Sequence, residues 1–148
     1  MSLPSKVLVE HHRYLDDVFA TAEGSVQSGD WVTAISTFKH FNDQLQAHIE
    51  AEEGLLFPAF EEATGYAEGP TRVMRMEHEQ IRSLLAQLEF ACAERDEDAY
   101  SGAAETLAPL LAQHNMKEEN ILYPMCDQTL ADGASDLGTR IEAMLGKE

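Results

Sequence analysis

The sequence repeats itself at a constant offset of 66 residues. His12 pairs with His78 and His48 with His114; Glu52 pairs with Glu118, Glu53 with Glu119, Phe57 with Tyr123 and Pro58 with Pro124. Apolar positions keep the same register: Val7 with Val73, Leu15 with Ile81, Val18 with Leu84, Phe19 with Leu85, Leu45 with Leu111 and Leu56 with Leu122. Any two amphipathic helices share leucines at helical spacing, so the apolar matches alone decide little. The histidines decide more. Four of the six fall into two pairs at that one offset, and the second pair precedes the same Glu-Glu and a later proline. The expectation is one domain over residues 1–148, built from a duplicated helix pair at about 7–60 and 73–126. A two-fold-related bundle brings the matching side chains of both copies to one central place.

Helical periodicity fills the stretches between the breaks, which fall at Gly24 and Gly29, at Pro58, at Gly65, Gly69 and Pro70, at the charged turn 94–98, at Pro124 and at Gly133. Ser5 to Glu23 carries Leu8, Leu15, Val18, Phe19 and Ala22 on one stripe. A second helix follows Asp30, an N-cap residue type, and carries Trp31, Ala34, Ile35, Phe38, Phe41, Leu45 and Ile49. A third starts near Thr71 and a fourth near Glu97, with Pro109 inside it predicting a kink or a later start. Ser135 or Asp136 is the expected cap of a short fifth helix ending near Leu145. Four long helices with short connections predict an all-α, antiparallel up-down four-helix bundle with that short C-terminal addition.

Charge and cysteine usage narrow the partners. The 10 basic and 27 acidic residues leave a net charge of −17. That field repels phosphate backbones and anionic membranes but attracts cations. No apolar run approaches the ~18 residues that span a bilayer, and the N-terminal residues lack a signal-peptide core, so no membrane partner is expected. Cys92 and Cys126 form no CxxC, which argues against a disulfide scaffold or a cysteine zinc site. Two reduced, buried thiols point to a cytoplasmic protein.

The chemistry lies in two matching segments, His48-x-x-x-Glu52 and His114-x-x-x-Glu118. Residues four apart share a helix face, so each pair can address one atom. Glu53 and Glu119 are rotated off that face and are expected to be solvated. His12 lies between Leu8 and Leu15, and His78 between Met74 and Ile81, on apolar stripes. Four inward histidines and two inward glutamates in one small core need compensation, because each buried carboxylate costs several kcal/mol. Cations supply it. His12 and His48 would serve one metal and His78 and His114 another, with Glu52 and Glu118 bridging. A bridging oxygen makes five ligands and leaves one position open on each. This mixed set suits iron or manganese, with zinc as an alternative. No ExxH pair of the carboxylate-rich bundles and no HExxH occurs. His11 is the alternative to His12 as a ligand. His40 is expected at the surface or behind the ligands, Asp16 in solvent or orienting His12, and Met74 in the core. Tyr14, Tyr123 and Trp31 either tune a redox centre or simply pack.

These residues resemble the hemerythrin-like proteins, also called HHE cation-binding domains. The resemblance rests on the order His12, His48-x-x-x-Glu52, His78, His114-x-x-x-Glu118 with the Leu-Phe-Pro and Leu-Tyr-Pro tails, from about Val7 to Pro124. It implies an antiparallel four-helix bundle around two iron ions, oxo- or hydroxo-bridged, that handle dioxygen or a related small molecule. The oxygen carriers of that family place a further histidine where this chain has Met74. They also end the fourth-helix motif in an aspartate five residues after the histidine, where this chain has Glu118 at four. Six matched ligands leave both irons reactive. The expectation moves from oxygen transport to redox, nitric oxide or peroxide chemistry.

The leading expectation is a di-iron protein that binds or reacts with dioxygen, nitric oxide or peroxide as sensor, store or scavenger, with an electron donor as a further partner. An enzyme that repairs iron centres, donates iron or turns over peroxide is the alternative. A metal-free structural bundle is the second. Sequence alone does not assign an oligomeric state.

Overall fold

The computed structural model describes residues 3–146. Helix α1 (Pro4–Gln27) turns through Ser28–Asp30 into α2 (Trp31–Ala51), which runs on through a wide π turn (Glu52–Leu56) into α3 (Phe57–Thr64). The same plan recurs. Helix α4 (Pro70–Glu94) leads through Arg95–Asp96 into α5 (Glu97–Lys117), a second π turn (Glu118–Leu122) and α6 (Tyr123–Thr129). A last helix, α7 (Ala134–Leu145), packs on α1 and α2. The described residues form an all-α antiparallel bundle of four long rods with a short fifth helix.

Local chemistry explains the boundaries. Pro4 and Pro70 sit in the first turns of α1 and α4, where no backbone donor is needed. Asp30 accepts from the Thr33 N–H and Asp96 from the Ala99 N–H, capping α2 and α5. Gly65, at φ +70°, takes the left-handed position that ends α3. Gly133, not Ser135 or Asp136, takes the cap position of α7. Helix α5 starts at Glu97 and continues through Pro109, so the later start does not occur.

Pro58 and Pro124 do not end their rods. A proline has no N–H and its ring clashes with the carbonyl four residues back. The rod answers by widening just before each proline: Phe57 donates to the Glu52 carbonyl and Tyr123 to that of Glu118, both five residues back. The widened turns begin at Glu52 and Glu118.

Two apolar cores flank a polar layer. One gathers Leu15, Phe19, Phe38, Phe41, Leu85 and Leu107 with their neighbours. The other gathers Leu8, Leu56, Phe57, Phe60, Met74 and Tyr123 with theirs, α7 included. His12 lies between Leu8 and Leu15, and His78 between Met74 and Ile81, so each histidine stands where its helix passes from one core to the other.

Candidate metal centre

The structure brings all six candidate residues into that layer. His12, His48, His78 and His114 are buried at 0–3% exposure, and Glu52 and Glu118 at 0%. Helix α1 supplies His12, α2 His48, α4 His78 and α5 His114, while each π turn supplies one glutamate. Their donor atoms form two groups, His12–His48–Glu52–Glu118 and His78–His114–Glu52–Glu118, each within 4.8 Å throughout. Both glutamates belong to both groups.

Every imidazole turns Nε2 inward. His12 Nε2 lies 3.2 Å from Glu118 Oε1 and His48 Nε2 3.4 Å from Glu52 Oε2. On the other side His78 Nε2 lies 3.0 Å from Glu52 Oε1 and His114 Nε2 3.2 Å from Glu118 Oε2. The two oxygens of each carboxylate thus face different half-sites.

Each outward Nδ1 has its own partner. Glu119 Oε2 lies 2.7 Å from His12 Nδ1, and Glu53 Oε2 2.7 Å from His78 Nδ1. Glu77 Oε1 lies 2.8 Å from His114 Nδ1, and His11 Nδ1 2.8 Å from His48 Nδ1. A carboxylate on Nδ1 fixes the proton there and leaves Nε2 as a lone-pair donor aimed at the centre. Arg82 and Lys117 anchor Glu53 and Glu77 from outside.

Four buried atoms of the centre, His48 Nε2, His78 Nε2, Glu52 Oε1 and Glu118 Oε2, have no hydrogen-bond partner among the described residues. His78 Nε2 and Glu52 Oε1 are close but not aligned for one. Neutral imidazole lone pairs facing carboxylate lone pairs repel, and unmet buried acceptors are costly. The arrangement calls for positive charge. Burial opposes a charged His78, yet the Glu52 carboxylate beside it and the hydrogen bond to Glu53 outweigh it and raise its pKa to about 9. Burial likewise opposes ionisation of Glu52, but His48 and His78 hold its carboxyl well below the usual carboxylate range.

Tyr123 closes one side. Its buried hydroxyl donates to Glu52 Oε2 at 2.5 Å and also lies 2.9 Å from Glu118 Oε1. Outside the layer, a groove of 450 Å³ between α1 and α5 is walled by Leu15, Phe19, Leu45 and Leu111 and reaches His12 and Glu119.

One expectation changes. Glu53 and Glu119 are half-buried partners of His78 and His12, not solvated bystanders. The π turn at Glu52 and Glu118 re-aims the next side chain, which a straight-helix projection cannot anticipate. His11 stands behind His48, outside both donor groups. His40 lies 2.5 Å from the exposed Tyr14 hydroxyl. Asp16 is exposed, Met74 is core, and Trp31 packs partly buried against the first core. Glu77, Arg82, Lys117 and Gln44 were not singled out by spacing. The 66-residue register holds one usable signal, because it sets Glu77 opposite His11.

A family model described as the hemerythrin HHE cation binding domain matches residues 3–126 of the chain. Comparison with curated proteins and with solved structures finds no match.

Proposed function

The chain belongs to the hemerythrin HHE cation-binding domain family, and from that premise we propose that it is a non-haem di-iron protein that binds or reduces dioxygen, nitric oxide or peroxide. Sensing, storage and scavenging are the roles open to it. The observation that carries this reading is the pair of donor groups sharing Glu52 and Glu118. One carboxylate with an oxygen in each half-site is what a bridged pair of ions needs, and a single ion would leave half the donors unmet.

The donor set fits the metal. Four neutral imidazoles and two carboxylates suit iron in either common oxidation state. When bound, the iron pair supplies one-electron steps and open coordination positions for a small oxidant. The chain supplies the rest. Glu53, Glu77, Glu119 and His11 hold the four imidazoles in their inward tautomer. The flanking cores exclude bulk water, and Tyr123 holds a hydroxyl proton on Glu52 Oε2.

Metal analysis of freshly purified protein tests the reading. We expect two irons per chain and a near-ultraviolet charge-transfer band that bleaches on anaerobic reduction and returns with oxygen. Protein without iron and without that band overturns it. His48→Ala should lose metal, whereas a purely structural bundle would show no metal to lose.

A further inference from the structure

Phe57 and Tyr123 occupy the same place in the repeat, directly before Pro58 and Pro124. Each ring stacks on an imidazole, Phe57 on His78 and Tyr123 on His12, both at 5.8 Å between centroids. They differ by one oxygen. Tyr123 Oη lies 2.5 Å from Glu52 Oε2, 2.9 Å from Glu118 Oε1 and 3.4 Å from His12 Nε2. These are three of the four donors of the first half-site. On the opposite side, Glu52 Oε1, Glu118 Oε2 and His78 Nε2 have no hydrogen-bond partner among the described residues, and Phe57 offers none. The half-sites match in histidines and carboxylates, yet only one has a phenol oxygen among its donors.

We infer that Tyr123 is a fifth protein ligand of the metal held by His12 and His48, so that the metal held by His78 and His114 is the one left open to the small oxidant. This rests on the two-metal reading above. Neighbouring donors on one ion, at bonds of ~2.1 Å, stand about 3 Å apart. The phenol oxygen already stands at such spacing from Glu118 and His12. Its shorter contact with Glu52 is that of an O–H donor, and it lengthens once the proton is gone. The step balances simply: the O–H bond breaks, the proton leaves to solvent, a metal–oxygen bond forms, and nothing is oxidised or reduced. Packing does not require the hydroxyl, because Phe57 fills the equivalent place without one.

The full chain, loaded with iron and oxidised in air, gives the test. Resonance Raman should show phenolate ring modes under a visible absorption band, and they should shift when the protein is made with ring-deuterated tyrosine. Tyr123→Phe should keep two irons and lose both signals. Azide, a small anion that seeks open ferric positions, should bind once per chain in the unmodified protein and twice in Tyr123→Phe. Two irons without phenolate modes, modes that persist in Tyr123→Phe, or two azides on the unmodified chain overturn the assignment alone. No iron on the unmodified chain overturns it together with the di-iron reading. If Tyr123→Phe does not fold, the isotope shift in the unmodified protein still decides.

Discussion

The Nδ1 atoms of His11 and His48 lie 2.8 Å apart. Two ring nitrogens at that distance share one proton. With its Nε2 turned inward, His48 carries the proton on Nδ1 and donates it to His11. His11 Nε2–H then donates to Gln44 Oε1 at 3.0 Å. Burial and then the neighbouring His48 push His11 down to about 4, which keeps it neutral at physiological pH. In the second copy a carboxylate, Glu77, serves His114 in the same place.

Truncating His11 to alanine strands the outward proton of His48. Metal affinity should fall about 10- to 100-fold, the usual effect of losing such a support. Competition with a chromophoric chelator measures it. His11→Glu should recover most of the loss by supplying what Glu77 supplies; no recovery would mean the pairing does not orient His48.

Shared and unshared donors should separate by stoichiometry. Glu52→Ala takes a donor from both half-sites, whereas His114→Ala takes one from a single half-site. Iron per chain is expected to drop to none in the first and to one in the second. Equal losses in the two variants would contradict the shared role of Glu52.

Metal removal should cost heat stability. A ligand that binds only the folded chain, at 100 times its Kd, contributes about 2.7 kcal/mol. For a domain of this size that is roughly 5–10 °C in Tm. Scanning calorimetry before and after chelation, with iron added back as control, checks both size and reversibility.

The thiols give a pH signature away from the centre. Burial, then the charge of Glu89, pushes Cys92 up to about 11. Burial, then Asp127, pushes Cys126 up to about 12. Both should resist iodoacetamide at pH 8 in the native protein and react after unfolding. Unfolded thiols ionise from about pH 9 while the folded ones stay protonated. Their contribution to stability is therefore full below pH 9 and is lost as pH climbs through 11 and 12. Tm should fall in that range, and replacing both cysteines by alanine should flatten the fall.

Tyr100 is wholly buried and its hydroxyl has no hydrogen-bond partner among the described residues. Tyr100→Phe keeps the ring against Phe38 and deletes the unmet group. Stability should rise by about 1 kcal/mol, or roughly 2–4 °C in Tm by thermal melt.

The inner ring of donors was legible because helical spacing and the 66-residue register both point at it. His48 and Glu52 lie one turn apart on one rod, and a histidine between two core leucines must point inward. The outer ring was not. Glu53 reaches His78 and Glu119 reaches His12 from a different helix pair, a tertiary relation that spacing within one helix does not encode. The π turns were missed for a related reason. Pro58 and Pro124 read as stops, and only the neighbouring rods decide that the chain widens and stays helical instead. The kind of aromatic at 57 and 123 was plain in the sequence, but the reach of one hydroxyl was not.

The crossing of Glu53 to His78 and Glu119 to His12 ties the two hairpins together. Each carries the brace for its sibling's first imidazole and half of the shared acid pair, so each half-site is complete only when both are docked. Because the two arms belong to one polypeptide, matching places need not be alike, and Phe57 stands in one arm where Tyr123 stands in the other.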